Sequence, residues 1–391
     1  MENRYRVPFW VFFSIVLCGI WLIASTTTFD ILSTPIILSN LISGFLLIIL
    51  GLLARRNMQI LWVIALIGIW LQIAPLIFWA QTNGAYINNT LIGILIIALS
   101  ILFFQKEDEE PSIPPGWSYN PSSWAQRLPI AFFAFICWMI SHYLASYQLG
   151  YIHTVWDPFF PHGTEKVLAS SVSKLFPVPD AGLGALAYTL EFLSTCFGGK
   201  ARWRTSPWGV ILFGLLVVPV GIVSVILIIA QPLIVGTWCT LCLVTAFCML
   251  IPIPLAIDEV VAAIRYLRHK KIKGAKVDKK TPSADAPLYQ ILKASLWGVS
   301  FPWNLLVTLF IGIYLMTQKQ LDPMLGALTI VISVISFSEY MRYARYFNIF
   351  IALLIVFFAW TIEGAMITHG LIALAILILS LRKGRYAHRS V

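Results

Sequence analysis

The hydrophobic positions of this chain form long continuous stretches, with polar residues confined to the short segments between them. An apolar stretch of about 18 to 25 residues is long enough to cross a bilayer as an α-helix. A helix also satisfies its own backbone hydrogen bonds inside lipid, where no water is present to do so. The pattern therefore predicts an all-α, polytopic transmembrane helix bundle.

The boundaries of the apolar stretches predict about twelve membrane spans. They cover approximately residues 7–27, 35–54, 59–80, 88–104, 128–149, 181–198, 207–230, 235–256, 294–316, 322–338, 346–364 and 367–381.

Basic residues recur at every second boundary between the spans. Cytoplasmic loops are enriched in lysine and arginine, so this alternation predicts that both termini are cytoplasmic. The clusters are Arg4 and Arg6, Arg55 and Arg56, Arg127, Lys200 to Arg204, Arg265 to Lys280, Arg342 and Arg345, and Arg382 to Arg389.

Composition excludes an ordinary soluble domain. The chain has 391 residues, of which 59 % are hydrophobic and only 11 % are charged, whereas soluble domains carry roughly 25 % charged residues. The formal net charge of +10 lies in short loops, which predicts contact with membrane lipid headgroups and no binding of nucleic acid. A multi-pass protein of a cell membrane is expected, most simply the bacterial cytoplasmic membrane.

Polar and proline-rich interruptions predict five segments. An N-terminal four-span block, 1–105, is followed by an acidic linker, 106–127. A middle four-span block, 128–264, precedes a basic linker, 265–292, and a C-terminal four-span block, 293–391. Charge runs of this kind are usually solvated loops.

The first and last blocks share a short motif, which indicates an internal repeat. Small residues in such motifs permit close helix approach in membranes, and tryptophan is favoured near span ends. The pattern resembles the SPW-repeat membrane family. Because these blocks contain no motif with a mechanism, we interpret them as a scaffold, a partner-binding surface or lipid-facing packing. The copies are Gly19-Ile-Trp-Leu22, Gly68-Ile-Trp-Leu71 and Gly312-Ile-Tyr-Leu315, with Phe301-Pro302-Trp303 near the family's Ser-Pro-Trp.

Cys239 and Cys242 are the strongest candidates for chemistry. They stand three residues apart, shortly after Gln231-Pro232, at the predicted start of a span. Residues i and i+3 share a helix face, and the helix N-terminus favours a thiolate. The alternatives are chance packing of small apolar residues and half of a zinc site. A zinc site needs two further ligands that the sequence does not supply nearby, so no metal site is predicted.

The four remaining cysteines, Cys18, Cys137, Cys196 and Cys248, lie within apolar runs. Cysteine behaves there as a small hydrophobic residue, so we expect these four to serve packing.

A long segment, Tyr151–Asp180, joins the first two spans of the middle block, on the same predicted membrane face as the cysteine pair. Its aromatic, proline and hydroxyl residues predict an ordered cap, and we call it the cap segment. It is a candidate contact for a partner thiol or a quinone headgroup. The alternative is a purely structural loop.

The middle block resembles the vitamin K epoxide reductase family, over about 130 residues. The resemblance implies a four-helix bundle around a quinone pocket. It also implies a cysteine pair that the quinone oxidises and that receives electrons from cysteines of the cap. The matching features are Glu165-Lys-Val-Leu-Ala-Ser-Ser171, Gly184-Ala-Leu-Ala-Tyr188, Arg202-Trp-Arg-Thr-Ser-Pro-Trp208 and Trp238-Cys-Thr-Leu-Cys242.

By this resemblance, Cys242 is the quinone-facing sulfur and Cys239 exchanges with the electron donor. Menaquinone or ubiquinone is the implied acceptor, and a thioredoxin-like protein is the implied thiol donor. The implied cofactor-binding residues are Trp238, Asp180, Tyr188 and Ser171.

The cap segment departs from the family because it contains no cysteine. Thr164 stands at the position of the second loop cysteine, and the first is missing near Pro158. Asp180 replaces an asparagine, and Ala246 replaces a tyrosine that contacts quinone in some members. Either Cys239 receives electrons directly from a separate protein, or the disulfide cycle is lost. In the second case other polar residues of the cap are left for proton transfer, namely Asp157, His153 and His162.

Two functions follow from the sequence. The first is a quinone-coupled thiol–disulfide oxidoreductase. The second is a non-catalytic scaffold or complex subunit with a degenerate reductase-like fold, whose flanking blocks bind a membrane-protein partner. Glu191 and Glu363, both within apolar spans, raise transport as a third possibility, since intramembrane carboxylates are functional candidates.

Overall fold

The computed structural model describes residues 7–29, 31, 33–101, 113–174, 176–268, 286–318, 322–361 and 366–384, and its elements within them are helical. The α-helices are α1 Phe9–Thr28, α2 Thr34–Ala54, α3 Ile60–Ile77, α4 Asn83–Ile101, α5 Trp124–Gln148, α6 Gly163–Ala169, α7 Asp180–Cys196, α8 Arg202–Thr205, α9 Pro207–Ala230, α10 Thr240–Leu250, α11 Pro252–Arg268, α12 Leu288–Ser295, α13 Trp303–Met316, α14 Asp322–Ile335, α15 Phe347–Thr361 and α16 Met366–Leu381. A π-helix, Gln231–Val235, extends α9, and a 3₁₀-helix, Arg342–Tyr346, precedes α15.

The predicted all-α membrane fold is confirmed. Eight helical segments of the described residues are long and apolar enough to cross a membrane, and α13, α14 and residues 367–381 are shorter apolar helices. Every predicted span overlaps at least one helix. The count of twelve crossings and the cytoplasmic termini stay predictions, as do the five domain boundaries. Glu363 lies outside the described residues.

The chain divides into two compact units. The first comprises residues 1–106, 137–156 and 168–198, and the second comprises residues 107–136, 157–167 and 199–391.

In the first unit, α1 packs on α2 and α3 packs on α4 through facing glycines. A Cβ on Gly19 would lie 2.7 Å from the Gly44 carbonyl oxygen, and one on Gly68 would lie 2.8 Å from that of Gly93. Within each pair, the two helices therefore approach so closely that only glycine fits at these positions, as the repeated motif predicts. The same arrangement recurs in the second unit, where α13 meets α14 at Gly312 and Gly326.

Buried amides join the two helix pairs of the first unit. Asn40 on α2 and Asn89 on α4 exchange hydrogen bonds of 3.1 and 2.8 Å, and Trp21 Nε1 donates to Asn88 at 2.9 Å. The fourth span was predicted to begin at residue 88, but α4 begins at Asn83. Asn88 and Asn89 lie inside α4, where they bond to residues of the other helix pair instead of facing water.

In the second unit, the buried Asp258 of α11 joins three parts of the chain. Its carboxylate accepts hydrogen bonds from Tyr119 Oη at 2.7 Å and Ser338 Oγ at 2.8 Å. Tyr119 lies before α5 and Ser338 lies after α14. A buried carboxylate is tolerated only when its oxygens are paired in this way.

The neighbouring Glu259 forms a buried ion pair with Arg202 of α8. Arg202 Nε and Nη2 donate to its two oxygens at 2.6 and 2.5 Å, and Ser122 Oγ donates to it at 2.6 Å. The side chains of Arg202 and Glu259 are 1 % and 2 % exposed. Arg202 is one of the basic residues from which the topology was predicted. Its guanidinium is buried and pairs with Glu259 instead of facing water.

At Gly298, the hydrogen-bonded contact between Asp258 and Tyr119 leaves no space for a side chain. Its φ is +82°, and an added Cβ would lie 1.8 Å from Tyr119 Oη and 2.2 Å from Asp258 Oδ2. A side chain at this point would separate Asp258 from its donor.

We predict that Gly298→Ala lowers the thermal unfolding midpoint of the detergent-extracted protein markedly. The left-handed backbone alone costs roughly 1–2 kcal/mol for a residue with a Cβ, and the clash with Tyr119 and Asp258 adds to that cost. Gly116→Ala is the matched control, because Gly116 has φ +78° and nothing within 4 Å of an added Cβ. Equal unfolding midpoints for the two variants would contradict the importance of the contact between Asp258 and Tyr119.

Candidate functional site

The cysteine pair lies at the start of α10, after an irregular turn. The π-helix Gln231–Val235 ends at Gly236, whose φ of +74° is the left-handed conformation that glycine adopts freely. Three residues later, Cys239 is the N-cap of α10, with extended backbone angles. The structure therefore has the cysteine pair at a helix start, as the sequence predicts.

Hydrogen bonds fix the geometry of this turn. Gln231 Oε1 accepts the backbone N–H of Cys239 at 2.9 Å, and Cys239 Sγ accepts the backbone N–H of Cys242 at 3.0 Å. Gln231 is itself buried. The sulfur of Cys239 thus takes the capping role that serine or aspartate oxygen plays at most helix starts.

Cys239 and Cys242 form a disulfide. Cys239 is 0 % exposed, whereas Cys242 is half-buried. A disulfide between i and i+3 at a helix start puts both sulfurs beside the positive end of the helix dipole, which stabilises a thiolate when the bond is reduced.

Residues 157–167 of the cap segment pack directly on this turn. The Asp157 carboxylate accepts the backbone N–H of Thr164 at 2.7 Å, that of Phe160 at 3.2 Å, and the hydroxyl of Thr240. Thr240 lies between the two cysteines. One carboxylate therefore links the start of α6 to the start of α10.

The Asp157 carboxylate is held in its ionised form. Partial burial alone would raise its pKa, but the hydrogen bonds from Thr240, Thr164 and Phe160 bring the pKa below its usual value. An ionised acceptor makes the stronger hydrogen bonds.

Gly163 and Thr164 form the second contact of the cap with the cysteine turn. A Cβ on Gly163 would lie 2.3 Å from the carbonyl oxygen of Trp238, so the two backbones touch. Thr164, the next residue, is fully buried. The loop position where the family has its second cysteine therefore directly follows a residue that touches the turn before the cysteine pair.

Comparison with protein families gives two matches. Residues 128–257 match the model of the vitamin K epoxide reductase family. The middle block is therefore matched to that family. Residues 10–102 match the SPW repeat domain. No curated protein and no solved structure matches the chain.

Both predicted resemblances are confirmed by these matches. The vitamin K epoxide reductase family is one of membrane thiol–disulfide and quinone oxidoreductases, which use quinones and typically work with thioredoxin-like proteins. The chain is a multi-pass membrane protein.

The other predicted cofactor-binding residues lie in different surroundings. Trp238 is half-buried and directly precedes the pair. Asp180, Ser171 and Tyr188 belong to the first unit. The Asp180 carboxylate accepts from Ser173 Oγ at 3.0 Å and from the Ala181 N–H at 2.8 Å, and so begins α7. Tyr188 is buried and Ser171 is exposed. Their binding roles stay predictions.

The histidines of the cap segment are both exposed. His162 pairs with Glu165 at 3.0 Å on the surface of α6. Sequence reasoning gave Asp157 only a general polar role and did not single out Gln231, Thr240 or Gly163. Nothing in their spacing reveals that they meet, because the contact joins segments some 80 residues apart.

We predict that Thr164→Cys, combined with Cys242→Ser, produces a disulfide between positions 164 and 239. Contacts from Gly163 to Trp238 and from Asp157 to both Thr164 and Thr240 hold these positions together. The bond is detected by mass spectrometry of the oxidised, unreduced protein.

Phe159→Cys with Cys242→Ser is the matched control, since Phe159 is 75 % exposed in the same cap segment. Equal cross-linking from positions 159 and 164, or none from 164, would contradict the packing of the cap on the pair.

Proposed function

We propose that the chain is a membrane thiol–disulfide oxidoreductase that passes electrons from an external dithiol to a quinone through Cys239 and Cys242. The observation that carries the proposal is the disulfide at the start of α10, in which the Cys239 sulfur accepts a backbone N–H. The pair faces the outer side of the membrane in this proposal, which the distribution of basic residues supports.

The thiol chemistry proceeds in two exchanges. A donor thiolate attacks the sulfur of Cys239, the bond to Cys242 breaks, and Cys242 leaves as a thiolate. The second donor thiolate then attacks the donor sulfur of the mixed disulfide and releases Cys239 as a thiolate. The donor becomes a disulfide, and the pair holds two electrons and takes up two protons.

The hydrogen bond at Cys239 favours the second exchange. The Cys242 N–H lies 3.0 Å from the Cys239 sulfur, so it stabilises negative charge as that sulfur leaves. A thiolate of lowered pKa is a better leaving group. Gln231 keeps this turn in place through the Cys239 N–H.

The proposal puts the quinone at the side of α10 that carries Cys242. Cys242 and Ala246, one turn apart, are both half-buried, which leaves an apolar surface beside a reachable sulfur. A quinone bound there, menaquinone or ubiquinone, would supply the oxidant for the reduced pair by taking up two electrons and two protons. Trp238, Asp180, Tyr188 and Ser171 are the further contacts that the family resemblance suggests.

The donor has to be a separate molecule. The cap segment contains no cysteine. Of the cysteines outside the disulfide, Cys18, Cys137 and Cys248 are buried and Cys196 is half-buried. A thioredoxin-like protein outside the membrane fits the need for a two-cysteine donor.

A non-catalytic subunit is the second candidate, and the missing cap cysteines favour it. In that case the flanking blocks bind a membrane-protein partner and the disulfide only stabilises the start of α10. The chain would then be extracted as a stoichiometric complex without thiol activity.

We predict that Cys239→Ala and Cys242→Ala each abolish quinone-dependent oxidation of a reduced thioredoxin-like protein by membranes that contain the chain. Each variant removes one of the two sulfurs, so no internal disulfide forms. Oxidation is followed by alkylation of the substrate thiols over time, with and without added quinone.

Cys248→Ala is the control, because Cys248 is a buried cysteine outside the disulfide, two turns along the same helix. It should retain activity. Oxidation that continues unchanged in Cys242→Ala would contradict the proposed function.

A further inference from the structure

The burial of Cys239 conflicts with attack by an external donor. The side chain is 0 % exposed, and an incoming thiolate has to approach the sulfur in line with the disulfide. In the observed conformation a donor protein cannot reach that sulfur, so some surrounding structure has to move first. Residues 157–167 of the cap segment, which contact the turn at Trp238 and Thr240, are the candidate.

The contact that holds the cap on the pair is local and polar. The Asp157 carboxylate receives three hydrogen bonds, two from backbone amides of residues 160 and 164 and one from Thr240. The two amide bonds lie within the cap and shape the start of α6. Only the Thr240 bond crosses to the helix that carries the cysteines.

We propose that the hydrogen bond between Asp157 and Thr240 is a latch that controls access of the donor dithiol to Cys239. This proposal rests on the proposed function and assigns Asp157 as a positioning residue. With the latch closed the disulfide is protected. When it opens, residues 157–167 lift from the turn and expose the sulfur of Cys239.

The chemistry of the latch suits repeated opening. Release exposes one carboxylate and one hydroxyl, and water can replace the bond that each loses. The cap keeps its own shape, because the amides of Phe160 and Thr164 still bond to Asp157. The Gly163–Trp238 contact is backbone against backbone, and the buried side chains of Thr164 and Val167 become exposed when the segment lifts.

The test measures how fast the disulfide is reduced. The full-length protein in nanodiscs, oxidised chemically and free of quinone, is mixed with reduced thioredoxin or with a water-soluble phosphine. Samples are quenched with acid, and the free thiols of Cys239 and Cys242 are labelled with a maleimide mass tag. Because quinone is absent, the result does not depend on whether the protein couples to quinone.

Thr240→Val should speed reduction by thioredoxin roughly tenfold, the equivalent of one charge-assisted hydrogen bond. Thr240→Ser should restore the original rate, because serine supplies the same hydroxyl. The disulfide of the Asp157→Ala variant should be reduced at least as fast as that of Thr240→Val. In the double variant of Asp157→Ala and Thr240→Val, the second substitution should add little to the increase in reduction rate that the first one causes.

Thr245→Val is the matched control, since the Thr245 hydroxyl bonds to the Leu241 carbonyl within α10 at 2.9 Å. It should leave the rate unchanged. The latch is refuted if Thr240→Val is reduced at the original rate, or if Thr245→Val speeds reduction as much as Thr240→Val does.

Discussion

Helix α10 begins in the interior of the second unit, and its first backbone amides have to find acceptors there. A helix start leaves four N–H groups without intrahelical partners, and an unpaired one is costly where water is excluded. Here Gln231 Oε1 and the Cys239 sulfur accept the amides of Cys239 and Cys242, two of these four groups. In the proposed function, the sulfur that completes the helix is also the one that the donor thiolate attacks.

That arrangement joins stability to reactivity. An N-cap sulfur is stabilised as a thiolate by the amide that it accepts and by the helix dipole. The cap segment then covers the turn through Asp157 and Gly163, so the reactive sulfur is also the buried one. A pair of this kind is preserved as a disulfide until a donor displaces its cover.

The sequence predicted what depends on local pattern. Apolar length predicted the helices, and the spacing of Cys239 and Cys242 predicted a pair at a helix start. The repeated Gly-Ile-Trp-Leu motif predicted close helix contacts, which Gly19 and Gly68 make. The start of α4 was predicted five residues too late, at residue 88 instead of Asn83.

Contacts between distant segments could not be predicted in this way. Asp157 meets Thr240, and Asp258 meets Tyr119 and Ser338. No local periodicity encodes which carboxylate finds which hydroxyl. Three-dimensional packing alone shows that Gly298 has to lack a side chain and that Gly163 lies against Trp238.

The most direct measurement is the redox state of Cys239 and Cys242 in native membranes, by acid quench and differential alkylation, with and without added quinone. The account predicts a disulfide that thiol reagents reduce and that forms again only when quinone is supplied. A pair that stays reduced whatever quinone is added would contradict it, and the chain would then be a scaffold that retains the fold without the redox cycle.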